Sequence, residues 1–261
     1  MVNTNKLTAN YIVSRLYKED LLYFTTKMFG SLFSIDSLKT RQVVFSLKKG
    51  GLIKEIEKGK YLVLGFEPQR VLVNPFFIAS KIVYPSYISF RSALNHYGYT
   101  EQVPFTIYVA ATKRKRGVEF ETYRYKYITL APYKFFGYEK QIIGELPVLM
   151  AEKEKALIDS FDQLDYAGGF LEAAKALFRA KDEIDKKRLV SYALKMKNKS
   201  LLSRLGYLLK RYNARLKGLE NYLSQTFIPL DPDRPKGRIW DKKWRVNVNV
   251  SDKDLFAWRQ S

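Results

Sequence analysis

LKTRQVVFSLKKGGLIKEIEKGKYLV, residues 38–63, passes from a helical period to a strand period within one short stretch. Asp36, just ahead of it, suits a helix N-cap, and Leu38, Val44, Phe45 and Leu47 supply an apolar stripe expected to face inward. Lys39, Thr40, Arg41 and Gln42 are left on the outer side, and Gly50-Gly51 stops the helix. Beyond the glycines, 52–56 and 60–64 are β-prone runs joined by Glu57-Lys58-Gly59, a hairpin signature. Toward the N-terminus, 10–17 places Tyr11, Ile12 and Leu16 at helical spacing. Residues 19–29 predict a second helix through Leu21, Leu22, Phe24, Met28 and Phe29, ended by Gly30. Three helices followed by a small basic hairpin is the order of a winged helix-turn-helix, here expected over residues 1–66.

That stretch holds eleven basic and five acidic residues, a net of +6. A helix with cations and short polar side chains outward fits the major groove, where Lys39, Thr40, Arg41 and Gln42 are the expected base readers. Lys48, Lys49, Lys58 and Lys60 are expected on phosphates, which orient a protein without reading sequence. A winged-helix module that never meets DNA is the competing reading.

Residues 67–75, with Pro68 and Asn74-Pro75, read as a linker. From 76 to 170 the pattern is mixed: helices over 76–83 and 89–97, strands over 105–110 and 118–127, a strand pair near 142–149, and a helix from about Glu152. This alternation predicts an α+β core with a small, largely antiparallel sheet. Residues 171–227 read as a basic helical region over 173–178, 187–196, 201–212 and 216–223, and 228–261 as an extended tail that ends as strand or extended segment on the alternating Val246, Val248 and Val250. The whole of 76–261 is taken as a second domain, so the fold class is α+β.

Composition narrows the function. The 261 residues carry 46 Lys plus Arg against 26 Asp plus Glu, a net charge of +20 that favours polyanionic partners. The absence of cysteine excludes disulfides, thiolate chemistry and cysteine zinc sites, and a single histidine, His96, makes a multi-histidine metal site or a Ser-His catalytic site hard to build. No apolar run approaches the roughly 20 residues that span a bilayer, and no signal-like segment leads the chain, so a cytoplasmic protein without a membrane partner is expected. Asp159 and Asp162 share a helix face, and Asp231 and Asp233 flank a proline. The first pair lacks a matching set of acids and lysine at nuclease-like spacing and reads as surface aspartates, and the proline within the second marks a turn. Neither a catalytic site nor a cofactor or metal is expected, and the many Tyr and Phe are assigned to the core.

Three further segments carry a family resemblance. They are YISFRSALNHYGYTEQVPFTIYVAATKRKR at 87–116, LPVLMAEKEKALIDSFDQL at 146–164, and SRLGYLLKRY at 203–212, the last followed by Leu-Asp-Pro and a terminal Trp-Arg-Val-Asn-Val. In these, and over most of its length, the chain resembles the AbiEi-type antitoxins of type IV toxin–antitoxin systems. It departs from them in one place: their helix often begins Ala-Thr-Pro-Glu-Lys, whereas Ala151-Glu152-Lys153-Glu154-Lys155 lacks the proline.

The resemblance implies two jobs. The N-terminal domain would bind inverted repeats in its own promoter and repress the operon. The C-terminal domain would counter a nucleotidyltransferase-type toxin, directly or indirectly. Inverted repeats call for two copies related by symmetry, whether the homodimer is permanent or forms on the DNA. A stand-alone winged-helix transcription factor with a ligand-sensing or dimerisation domain is the alternative. A second basic surface is expected from Lys113, Arg114, Lys115 and Arg116, as a phosphate clamp, a toxin contact or a solubilising turn. Lys187, Arg188, Lys195, Lys197, Lys199, Arg204, Lys210 and Arg211 would extend it, within a stretch (186–219) of eleven basic residues and no acid. Solvated helix faces are the bland reading of the same charges.

Overall fold

A computed structural model describes residues 7–101, 105–214 and 218–259 and has an α+β fold. The chain divides into two compact units, Met1–Tyr84 with Ile142–Val148, and Pro85–Gln141 with Leu149–Ser261.

The first unit begins with α1 (Ala9–Lys18), β1 (Tyr23–Thr25), α2 (Thr26–Phe33) and α3 (Ser37–Lys49), followed by β2 (Ile53–Glu57) and β3 (Lys60–Val63). The strands form an antiparallel sheet in the order β1-β3-β2. Ile12, Leu16, Phe24, Phe29, Val44, Leu47, Ile53 and Val63 make one core beneath the helices and sheet. The expected helix over 19–29 is not formed as such. Tyr23 and Thr25 pair with Leu62 and Lys60, and the Thr25 hydroxyl then caps α2 by accepting from Met28 N. Gly30 lies inside α2 instead of ending it. A Cβ there would stand 3.0 Å from Thr40 Oγ1, so the glycine lets α2 and α3 approach closely. Ser34, in the left-handed region, ends α2, and the Asp36 carboxylate caps α3 by accepting from Lys39 N at 2.8 Å.

Within the expected linker, Pro68 opens a short helix, α4 (Pro68–Leu72), and Pro75 opens α5 (Pro75–Ile82). Asn74 caps α5 through Phe77 N and donates to Ile143 O, which ties residues 142–148 into this unit.

The second unit contains β4 (Ser86–Ile88), β5 (Thr106–Ala111), β6 (Val118–Phe120) and β7 (Tyr123–Thr129), with the start of β8 (Tyr138–Ile143) and the end of β9 (Leu146–Ala151), whose other residues fall within 142–148. They form a six-stranded sheet in the order β6-β7-β5-β4-β9-β8. The sheet is mixed, not largely antiparallel: its six-pair β5–β7 ladder is parallel, as is β4–β9. The cause is a turn at Glu121, which takes a positive φ and splits the single strand expected over 118–127 into the hairpin β6–β7. The second arm of that hairpin then runs alongside β5. α6 (Phe90–His96), α7 (Lys153–Asp162), α8 (Phe170–Ala180), α9 (Lys186–Lys195) and α10 (Lys199–Arg211) complete the unit, with α7 packed by the other four.

Residues 228–259 carry a strand over Val246–Val248, as the alternating valines suggest, but within a folded element and not a simple tail. β10 (Ile228–Pro229), β11 (Ile239–Asp241) and β12 (Val246–Val248) form a second small sheet in the order β10-β12-β11, followed by α11 (Asp252–Leu255). α10 holds this sheet. Arg204 donates to Leu230 O and Pro229 O, and the Trp244 ring lies on Gly206. Of the helix expected over 216–223, Leu216 and Lys217 lie outside the described residues, and Glu220–Tyr222 is a single 3-10 turn. Gln102, Val103 and Pro104 of the resemblance segment also lie outside them. Among the described residues no helix is long and apolar enough to cross a membrane.

Candidate nucleic-acid interface

The α3 backbone turns by about 100° per residue, so burial fixes which way each side chain faces. Thr40, Val44 and Leu47 point into the core of the first unit. Thr40, expected to read bases, is 2% exposed, and its hydroxyl donates to Asp36 O at 2.7 Å. It stays on the core side of the helix, beside the space that Gly30 leaves. Leu38 and Phe45, expected inside, are 66% and 70% exposed. The outer face is therefore Leu38, Arg41, Gln42, Phe45 and Lys49, with Lys39 at one side.

The hairpin beside α3 is braced. Gly59, with positive φ, lies in its turn, and Gly59 O accepts from both Thr26 N and Thr26 Oγ1. Glu55 accepts from Gly59 N and pairs with Lys48 across to the end of α3. The Lys48 ammonium holds the Glu55 carboxyl below its ordinary range, helped by the Gly59 N–H. Lys60 pairs with Glu57 at 2.9 Å and also donates to Ile82 O.

These pairings divide the expected phosphate contacts into two kinds. Lys48 and Lys60 are neutralised within the protein. Lys49 and Lys58, like Lys39 and Arg41, are exposed and form no ion pair among the described residues. A groove of about 590 Å³ beside the hairpin is lined by Lys48, Lys54 and Lys58 together with Glu55 and Glu57. With both signs on its walls, it offers no selective seat to a small anion.

The second basic surface is less continuous than its sequence. Lys113, Arg114 and Arg116 stand exposed and Lys115 half-buried on the loop between β5 and β6. Arg188 faces Glu152 and Glu154 at 3.4 and 3.7 Å, Lys210 pairs with Asp241 at 3.1 Å, and Arg211 pairs with Asp252. Arg204 is buried and serves the Pro229 and Leu230 carbonyls, so it leaves the candidate surface altogether. Lys187 and Lys199 remain outward. Lys195 lies over the Phe136 and Tyr192 rings and Lys197 over Tyr133, which places four surface lysines on and around α9.

Asp159 and Asp162 are not surface aspartates. Asp159 is 1% exposed and pairs with the equally buried Lys155, while Tyr87 and Ser89 donate to its second oxygen at 3.1 and 2.7 Å. Desolvation pushes the Asp159 carboxyl up and the Lys155 ammonium down, and their contact opposes both shifts. Asp162 pairs with Lys134 and accepts from Asn198. Glu154 accepts from Asp185 N at 2.7 Å. The charged residues of Glu-Lys-Ala-Leu-Ile-Asp thus hold the core of the second unit together. Asp231 likewise accepts from Asp233 N and lies beside Arg234. His96 shares a hydrogen bond with Gln141.

No family model matches the chain, and no curated protein does. A solved structure does: the RV2827C protein from Mycobacterium tuberculosis, 13% identical, superimposes with a TM-score of 0.63 over 97% of this chain and 94% of that one. At that identity the similarity is one of fold.

Proposed function

We propose that the first unit is a winged helix that binds duplex DNA, and that the chain is the antitoxin and autorepressor of a type IV toxin–antitoxin operon acting in the cytoplasm. α3 enters the major groove, the β2–β3 hairpin lies against the phosphate backbone, and two copies occupy the inverted repeats of the promoter. The observation that carries this reading is the set of unpaired cations Lys39, Arg41, Lys49 and Lys58 on α3 and the hairpin tip. The neighbouring acids Glu55 and Glu57 are already paired and add no free negative charge there. The antitoxin half rests on the sequence resemblance, with the outward lysines of the second unit as the surface offered to a nucleotidyltransferase-type toxin.

Binding of the full-length protein to the duplex upstream of its own gene, against a scrambled duplex across a salt series, tests the DNA reading. Retained preference for the upstream duplex at physiological salt is the expected result. Equal binding that collapses together as salt rises would leave only non-specific attraction by the net charge. The ion pairs sharpen the expectation. Lys58→Ala lowers the salt slope by about one unit, whereas Lys60→Ala, already neutralised by Glu57, changes it by less than half as much. Equal slopes for the two variants would contradict the division of phosphate contacts.

A further inference from the structure

Leu38, Gln42, Phe45 and Lys49 fall within an arc of roughly 60° on α3, opposite the buried Thr40 and Leu47. The crest of this helix is therefore partly apolar. Two large side chains, 66% and 70% exposed, alternate along it with an amide and a cation. Neither contributes to the core, where Val44 and Leu47 already fill the inward face. A surface that is apolar along its ridge, with Lys49 at the ridge's end and cations around its rim at Lys39, Arg41 and Lys58, complements a partner of inverse layout. The major groove has that layout: phosphates line its edges, and the 5-methyl groups of thymine are the apolar features of its floor.

We propose that Leu38 and Phe45 read thymine methyl groups in the major groove, making the thymine content of the operator a determinant of binding. The proposal rests on the DNA-binding reading of the first unit. Leu38 and Phe45 lie about 10 Å apart along the helix axis, which is about three base-pair steps when α3 follows the groove. Gln42 between them has the fork that matches adenine, and Arg41 the one that matches guanine.

The test uses full-length protein, the upstream duplex amplified with either dTTP or dUTP, and a scrambled duplex. Uracil differs from thymine only by the missing methyl. Wild-type protein is expected to bind the thymine duplex about fourfold more tightly for each methyl in contact. Phe45→Ala, an exposed change that leaves the fold intact, removes most of that ratio. Arg41→Ala weakens binding to both duplexes and keeps the ratio. Equal affinity for the thymine and uracil duplexes, with upstream DNA still preferred over scrambled, overturns the methyl reading alone. Loss of the upstream preference itself overturns the DNA reading beneath it, and this proposal with it. A thymine preference unchanged by Phe45→Ala, with a lower mass by light scattering, assigns the crest to contact between protein copies and overturns the proposal.

Discussion

Asp159→Ala destabilises the second unit by about 3–5 kcal/mol and lowers its melting temperature by roughly 10 °C. The substitution strands Lys155 inside α7, fully buried, with its ammonium 4.8 Å from the Phe136 ring and 5.6 Å from the Tyr87 ring. Ring faces attract a cation, but they replace only part of what the carboxylate supplies. Tyr87 and Ser89 also lose the oxygen to which they donate. In this variant the folded state holds Lys155 with a lowered pKa, because burial penalises its charge. The unfolded state then binds the additional proton, so the variant's stability rises with pH up to the ordinary lysine range. Replacing both partners, Lys155→Met with Asp159→Leu, recovers most of the loss, because no charge remains unpaired. Calorimetry of the single and double variants measures the difference. A loss below about 1 kcal/mol for the single variant would show that water reaches Lys155.

Gly206→Ala is expected to cost about 3 kcal/mol, and its sign is the informative part. In an open helix the same change stabilises by up to about 1 kcal/mol, since alanine has less backbone freedom to lose on folding. At this position the new Cβ would stand 2.1 Å from two carbons of the Trp244 ring, itself only 2% exposed. The ring cannot swing aside without disturbing the turn between β11 and β12 and the buried Val246 that follows it. Denaturant titration followed by tryptophan emission reads the change. A stabilised Gly206→Ala protein would mean that Trp244 is held by something other than α10.

Within the first unit, the ends of α3 and the turn of the hairpin were legible because their signals are local, whereas the helix expected over 19–29 was not formed. Asp36 as cap, Gly50-Gly51 as stop and Lys58-Gly59 as turn each act within a few residues. What the sequence could not carry was the rotation of α3. Thr40 counts as polar and Phe45 as apolar in any residue scale, yet Thr40 is buried and Phe45 is not. Apolar residues inside is a one-way tendency, and here the gap left by Gly30 decides where Thr40 goes. The hairpin β6–β7 was hidden for a similar reason, because Glu121 makes its turn without the glycine or asparagine that signals one. Arg204 and Asp159 looked like surface charge because their partners lie far away in sequence, at Leu230 and Pro229, and at Tyr87 and Ser89. No window of neighbouring residues contains those contacts. The candidate interface was legible as a region, through its lysines, but not as a set of side chains.

The placement of residues 142–148 with the first unit has a genetic consequence. That unit is encoded in two pieces, separated by the coding sequence for Pro85–Gln141. A single crossover that moves only the upstream piece into another gene leaves Asn74 without the Ile143 carbonyl to which it donates. Exchange of this unit between genes as one contiguous cassette is therefore hindered. Variation in this unit is more readily reached by point changes on its exposed faces than by recombination.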